Sequence, residues 1–251
     1  MKNRKLWTVI CLLVFLIGLL ILCFPTINKY YVRFRMKNAV ESYLQNTVPA
    51  DKEPEQAPTE ESIPEETQFE PAEYRELWDG MQAYNERIWK EKQTGLCSTQ
   101  AYAIPSFYPE NYGLESDVFG VLTIPAMDLT MPLYLGATWQ HMSDGAAQLS
   151  ETSLPIGGKN TNCVIACHRG WWGAPYFKEI LKLKKGDEVT VQNPWQTLHY
   201  TVTECRVIQP NDIESIRIRD GRDMITLLTC HPLGAGGRQR YLVFCDRNER
   251  S

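Results

Sequence analysis

Residues Leu6 to Phe24 form an apolar run in which only Thr8 and Gly18 are not strongly hydrophobic. About 19 residues make roughly 28 Å of helix, enough to cross the hydrocarbon layer of a bilayer. The run ends in Cys23, Phe24 and Pro25 rather than in a small-x-small cleavage site, so residues 1–28 read as an uncleaved membrane anchor. Lys2, Arg4 and Lys5 precede it and Lys29, Arg33, Arg35 and Lys37 follow it, so the positive-inside rule does not orient it. With 251 residues, 43% of them hydrophobic, the chain has room for one globular domain beyond the anchor and is not a multi-span protein. A net charge of −4 supplies no global basic field, which argues against a nucleic-acid partner.

Residues 29–72 read as a linker. Between Pro49 and Pro71 prolines alternate with carboxylates such as Glu53, Glu55, Glu60 and Glu61, and large apolar side chains are almost absent. Such a stretch cannot bury enough surface to offset its ordering entropy, so it is expected to be an extended, solvated spacer. Residues 73–110 read as a helical extension. Within Glu73–Lys92, Leu77, Met81, Tyr84 and Ile88 recur at steps of four, three and four, the stripe of an amphipathic helix that packs on a domain edge.

Residues 111–251 change texture to short β-type runs broken by Gly, Pro and Asn turns. Strands are expected at Val118–Ile124, Thr130–Leu135, Cys163–Ala166, Glu188–Gln192, Leu198–Ile208, Met224–Thr229 and Tyr241–Phe244, with helical pieces at His141–Leu149 and near Tyr176–Leu183. A doubly wound sheet needs a crossover helix after each strand, so this spacing points to an all-β sandwich or closed barrel.

Six cysteines lie outside the apolar run: Cys97, Cys163, Cys167, Cys205, Cys230 and Cys245. Their even number permits disulfides, while buried free thiols behave as small hydrophobes; composition leaves both open. Cys163-x-x-x-Cys167-His168 is one residue longer than a C-x-x-C-H motif and has no second C-x-x-C pair, so neither a metal nor another cofactor is expected. Cys230 has a different setting. It ends the strand-like run Met224–Thr229 and precedes His231, Pro232 and a glycine-rich turn, a position at a sheet rim that a substrate can reach. A nucleophilic thiol needs a base or a positive neighbour. His168 ends another apolar run in the same manner, and Arg240 opens the strand after the glycine turn, where a hairpin returns it beside Cys230. Each of these also has a plain structural reading, as a buried thiol, a rim histidine and a surface arginine.

The string Thr226-Leu227-Leu228-Thr229-Cys230, with Arg240 ten residues on, resembles the TLxTC…R signature of sortases, cysteine transpeptidases of the Gram-positive surface. Ile165-Ala166-Cys167-His168-Arg169-Gly170 is similar to the strand that carries that family's histidine, and matches in order extend through Ile124-Pro125, Leu133–Gly136, Thr152–Gly158, Gly186-Asp187 and Pro210–Asp212. The run Ser153–Gly158 and the triplet His168-Arg169-Gly170 look most like class C, the pilus-assembling branch. Of the Asp-Pro-aromatic lid motif usual in that class the nearest trace is Trp78-Asp79-Gly80, which does not match it, and His231 follows the cysteine where a small polar residue is usual.

The resemblance implies an eight-stranded sortase β-barrel with short helices behind a transmembrane helix. The implied enzyme sits in the cell membrane on a single span, with its catalytic domain outside. Cys230 attacks an LPxTG-like sorting signal, His168 moves the proton, Arg240 steadies the oxyanion and Thr229 helps position substrate. The thioester is resolved by an amine, either a pilin lysine or a lipid II peptide in wall anchoring. Rival readings are a Cys–His hydrolase with water as acceptor and a non-catalytic surface scaffold. They separate on the need for Arg240 and for Cys230.

Overall fold

The computed structural model describes residues 2–47, 73–98, 101, 103–114, 116–170, 174–234 and 236–248. The spacer expected at Pro49–Pro71 lies outside the described residues.

Eight strands close into a barrel in the order β1-β2-β3-β4-β7-β8-β6-β5. They are β1 (Gly120–Ile124), β2 (Leu129–Leu135), β3 (Ala146–Gln148), β4 (Thr161–Ala166), β5 (Glu188–Gln192), β6 (Thr197–Ile208), β7 (Asp223–His231) and β8 (Gln239–Arg247). Alternation along the strands divides two apolar clusters. Ile165, Ile225, Leu227 and Val243 meet in one cluster with Leu122, Met131 and Val191, while Val164, Ala166, Leu242 and Phe244 belong to a second on the other face.

Seven strands fall on the runs read from sequence, most of them one to three residues longer or shorter at an end. The eighth, β3, lies within the stretch expected to be helical at His141–Leu149; only Trp139–Asp144 forms a helix, α3. Two alanines and a glutamine have little intrinsic strand preference. Tertiary pairing makes this strand, in parallel with β2 (Leu133↔Ala146) and antiparallel with β4 (Ala147↔Ala166). Near Tyr176–Leu183 only a short 3-10 turn, Ile180–Lys182, is helical.

The first helix, α1, runs unbroken from Lys2 to Thr47 with Pro25 inside it. Residues 29–47, assigned to the linker by composition, therefore continue the apolar helix. Met36, Val40 and Tyr43 are buried against the barrel, with Val32 half-buried beside them, and Arg35 pairs with Asp144 of α3. Their steps of four, four and three form one stripe of a helix, so this part of α1 is held by packing.

Helix α2 (Arg75–Lys90) buries Leu77, Met81, Tyr84 and Ile88, the stripe read from sequence, and Trp78 beside it. Its Asn85 side chain accepts from Leu154 N (2.7 Å) and donates to Leu154 O (3.3 Å), and Trp89 Nε1 donates to Asp220 (3.1 Å). These contacts dock α2 beside the N-terminal ends of β4 and β7.

Candidate active site

The opposite ends of β4 and β7 carry the residues singled out from sequence. These strands are parallel, with Ala166↔Leu228 the last pair, and Cys167 N donates to Leu228 O (3.1 Å) just beyond it. Continuing that register by two residues sets His168 beside Cys230, on neighbouring chains that lie about 4.8 Å apart in a sheet. On the other flank Cys230 is the register partner of Arg240 at the start of β8. The three residues thus occupy adjacent chain segments at one rim of the barrel.

The turn between β7 and β8 completes this rim. Gly237 has φ +69°, and a Cβ built there would lie 3.2 Å from Cys230 Sγ and 3.3 Å from Arg240 Nη1. Only a glycine lets the backbone run this close to both groups without strain. Arg240 Nη1 donates to Gly237 O (2.6 Å) and Gln239 O (3.0 Å), which fixes one arm of the guanidinium. A guanidinium has five N–H donors in a planar fork, and this one is anchored in the turn that also packs against the thiol.

His168 is half-buried and flanked edge-on by Trp139 (5.8 Å between centroids) and Tyr176 (6.0 Å). Burial pushes its pKa below the ordinary value of 6.5, which favours the neutral imidazole. Its carbonyl accepts from Phe177 N (2.9 Å), which holds the segment after β4 against the core. The other three histidines have separate partners. His141 Nδ1 bonds to Gly136 O (2.7 Å), His199 pairs with Glu188 (2.8 Å), and His231 Nδ1 accepts from Arg169 Nη1 (2.6 Å).

His231 is the last residue of β7. Alternation along the strand directs it to the face opposite Cys230, where it meets Arg169, only 8% exposed, and Tyr241 (5.8 Å). Thr229 shares that opposite face. It is 1% exposed and its hydroxyl donates to Cys167 O (2.7 Å), so it reaches the site by holding the segment that leads to His168.

All eight cysteines are free. Burial pushes the thiols of Cys163, Cys167 and Cys245 well above their ordinary value, so they stay protonated and unreactive. Cys230 is only partly buried at the rim. Sequence reasoning had marked the glycine turn without its contact with the thiol, and had not marked Trp139 or Tyr176. The sequence signal for Trp139 is its place directly after Gly136-Ala137-Thr138, and the structure leaves it exposed.

Comparison with known proteins agrees with this geometry. The sortase domain model matches residues 122–248. Sortase A of Bacillus anthracis is 30% identical over 132 residues, which are 53% of this chain and 60% of that protein's length. Among solved structures, sortase C of Clostridium perfringens with the C-terminal cell wall sorting motif is 30% identical at TM-score 0.59, over 71% of this chain and 90% of that one. A mutant of sortase C-1 from S. pneumoniae is 30% identical at TM-score 0.63, over 72% of this chain and 91% of that one. The structural neighbours are class C enzymes, and the chain belongs to the sortase family.

Proposed function

We propose that this chain is a membrane-anchored cysteine transpeptidase that cleaves an LPxTG-like sorting signal and joins its threonine to an amine, a pilin lysine in the first instance. The observation that carries the reading is the convergence of His168, Cys230 and Arg240 on three adjacent segments of one barrel rim. The structure of Clostridium perfringens sortase C with the C-terminal cell wall sorting motif supports the substrate class. The proposal includes a cell-membrane location on a single span with the barrel outside, and the long apolar helix supports the anchor.

The chemistry follows from the rim. The neutral His168 takes the Cys230 proton, and the thiolate attacks the threonine carbonyl carbon. In this reading the Arg240 fork donates to the carbonyl oxygen as negative charge develops on it. The C–N bond then breaks, the His168 imidazolium gives its proton to the departing glycine amine, and a thioester remains on Cys230. An incoming amine loses its proton to the again neutral His168, attacks the thioester and releases the thiolate, so one amide replaces another.

A peptide carrying the sorting motif, offered with and without a lysine-bearing acceptor, tests this. Ligated product in the presence of the amine is the expected result. Hydrolysis alone, unaffected by the amine, would favour the hydrolase reading. Arg240→Lys is expected to lose about 100-fold in kcat/KM, since an ammonium lacks the planar fork; near-normal turnover would contradict the oxyanion role. A wall-peptide amine used in preference to lysine would move the assignment to wall anchoring.

A further inference from the structure

We infer that the barrel carries a membrane-docking surface, in which basic side chains of α1 and of the segment after His168 bind anionic phospholipid headgroups. The inference rests on the membrane-anchored reading of α1 and goes beyond it, because an anchor alone assigns no barrel residue to the headgroups.

Because α1 is continuous to Thr47 and its outer part is packed on the barrel, the height of each barrel residue above the bilayer is set by its neighbour on the helix. Trp7 lies near one end of the apolar run, and Tyr30 and Tyr31 lie beyond the other, all three exposed. Aromatic side chains of this kind settle at membrane interfaces. About 23 residues separate Trp7 from Tyr30, roughly 35 Å of helix, which matches a hydrocarbon core with part of its interfaces. Lys29 and Arg33 then stand at headgroup level.

At that same level the barrel contributes its own cations. Lys29 and Arg33 line a cleft of about 120 Å³ together with Met127, Asp128, Tyr176 and Lys178. The 3-10 turn Pro125–Met127 in turn touches the turn Ile180–Lys182, so Leu181 and Lys182 lie alongside. Leu181 is 51% exposed, an apolar tip between lysines. Lys184 and Lys185 follow, also exposed. The carboxylates of Asp128, Glu179 and Asp187 share this surface, yet cations outnumber them in a chain whose net charge is −4.

Two features argue for lipid as the occupant. The patch begins where the apolar helix ends, so a bilayer is already within reach of it. Positive charge on both sides of the helix also works against a clean orientation, and contact with anionic headgroups, at about 1 kcal/mol per Lys or Arg, offsets that cost. The segment 174–185 is tied to His168 through Phe177 N and the Tyr176 ring, so docking would hold the catalytic rim close to membrane-held substrates.

The test uses the full chain in nanodiscs of phosphatidylcholine alone or mixed with phosphatidylglycerol, reading hydrogen exchange of residues 174–187. Exchange is expected to be about 5- to 10-fold slower in the anionic discs, with the difference lost in high salt and in the Lys178→Glu/Lys182→Glu variant. Lys159→Glu, at the far end of β4, is the control and should keep the protection. Cleavage of a soluble peptide by the Lys178→Glu/Lys182→Glu variant in detergent should match the parent, which shows that it is folded. Equal exchange in both discs would overturn the docking surface while leaving the anchor intact. Failure of the chain to enter discs at all would overturn the anchored reading and the docking surface with it.

Discussion

The Thr229 hydroxyl donates to the Cys167 carbonyl at 2.7 Å, a buried clasp between the residue before Cys230 and the residue before His168. Neither partner faces the candidate site, yet their bond links the segments that carry the two residues that do. Thr229→Val keeps the shape and removes the donor, leaving a buried carbonyl without this bond. Stability is expected to fall by about 1–2 kcal/mol, and kcat about 10-fold with KM little changed, because a misplacement of the proton-transfer partner acts on chemistry more than on binding. Thr229→Ser should restore both. Denaturant titration and steady-state kinetics on the three forms check this, and a change confined to KM would point to direct substrate contact instead.

Gly237 packs its backbone between Cys230 and Arg240 at φ +69°. A methyl group there would press on the thiol and on the anchored guanidinium nitrogen, and an L side chain strains that backbone conformation by about 1–3 kcal/mol. Gly237→Ala is expected to lower kcat/KM by at least about 10-fold while the far-ultraviolet spectrum of the barrel is preserved. Gly221→Ala, also at positive φ but at the far end of β7, should lose stability without a comparable loss of activity.

Burial lowers the His168 pKa below 6.5, so the unfolded chain takes up this proton more readily than the folded one. The contribution of His168 to stability is therefore complete above the ordinary histidine range and is lost as pH falls through it. Melting temperatures of the parent and of His168→Gln, compared between about pH 7.5 and about pH 5.5, should converge or cross at the acid end. A parent curve parallel to that of the variant would contradict a depressed histidine.

The outer part of α1 is a structural member of the barrel. Met36, Val40 and Tyr43 are buried on it, each worth up to about 1.5–3 kcal/mol before the cost of ordering the helix. A chain beginning at Lys29 should therefore melt higher than one beginning at Glu73, by on the order of 5 °C. Equal melting temperatures would mean that the packing of this helix contributes nothing.

These relationships divide along the range of the forces that make them. Strand alternation and the α2 stripe are local patterns, and seven strands and α2 could be read from them. Strand β3 could not, since Ala146–Gln148 becomes a strand only between β2 and β4. The extension of α1 was also legible: the spacer's prolines and carboxylates begin only after Thr47, and Val32, Met36, Val40 and Tyr43 before them form a helical stripe. At the site, the types and positions of His168, Cys230 and Arg240 were legible, because each lies within two residues of a strand end. The facing of Thr229 and His231 needed only the two-residue period of β7 measured from Cys230. Their partners, Cys167 and Arg169, lie more than 60 residues away and depend on the parallel register of β4 with β7.

The central claim is that Cys230 forms a thioester with a sorting-signal threonine. Intact-mass and peptide-map analysis of the full chain, incubated with an LPxTG-type peptide and quenched in acid, tests it directly. The expected result is an acyl adduct on the peptide that contains Cys230, absent in Cys230→Ala and discharged into an amide when a lysine-bearing acceptor is added. A peptide cleaved at full rate by Cys230→Ala, or an adduct on another cysteine, would contradict it.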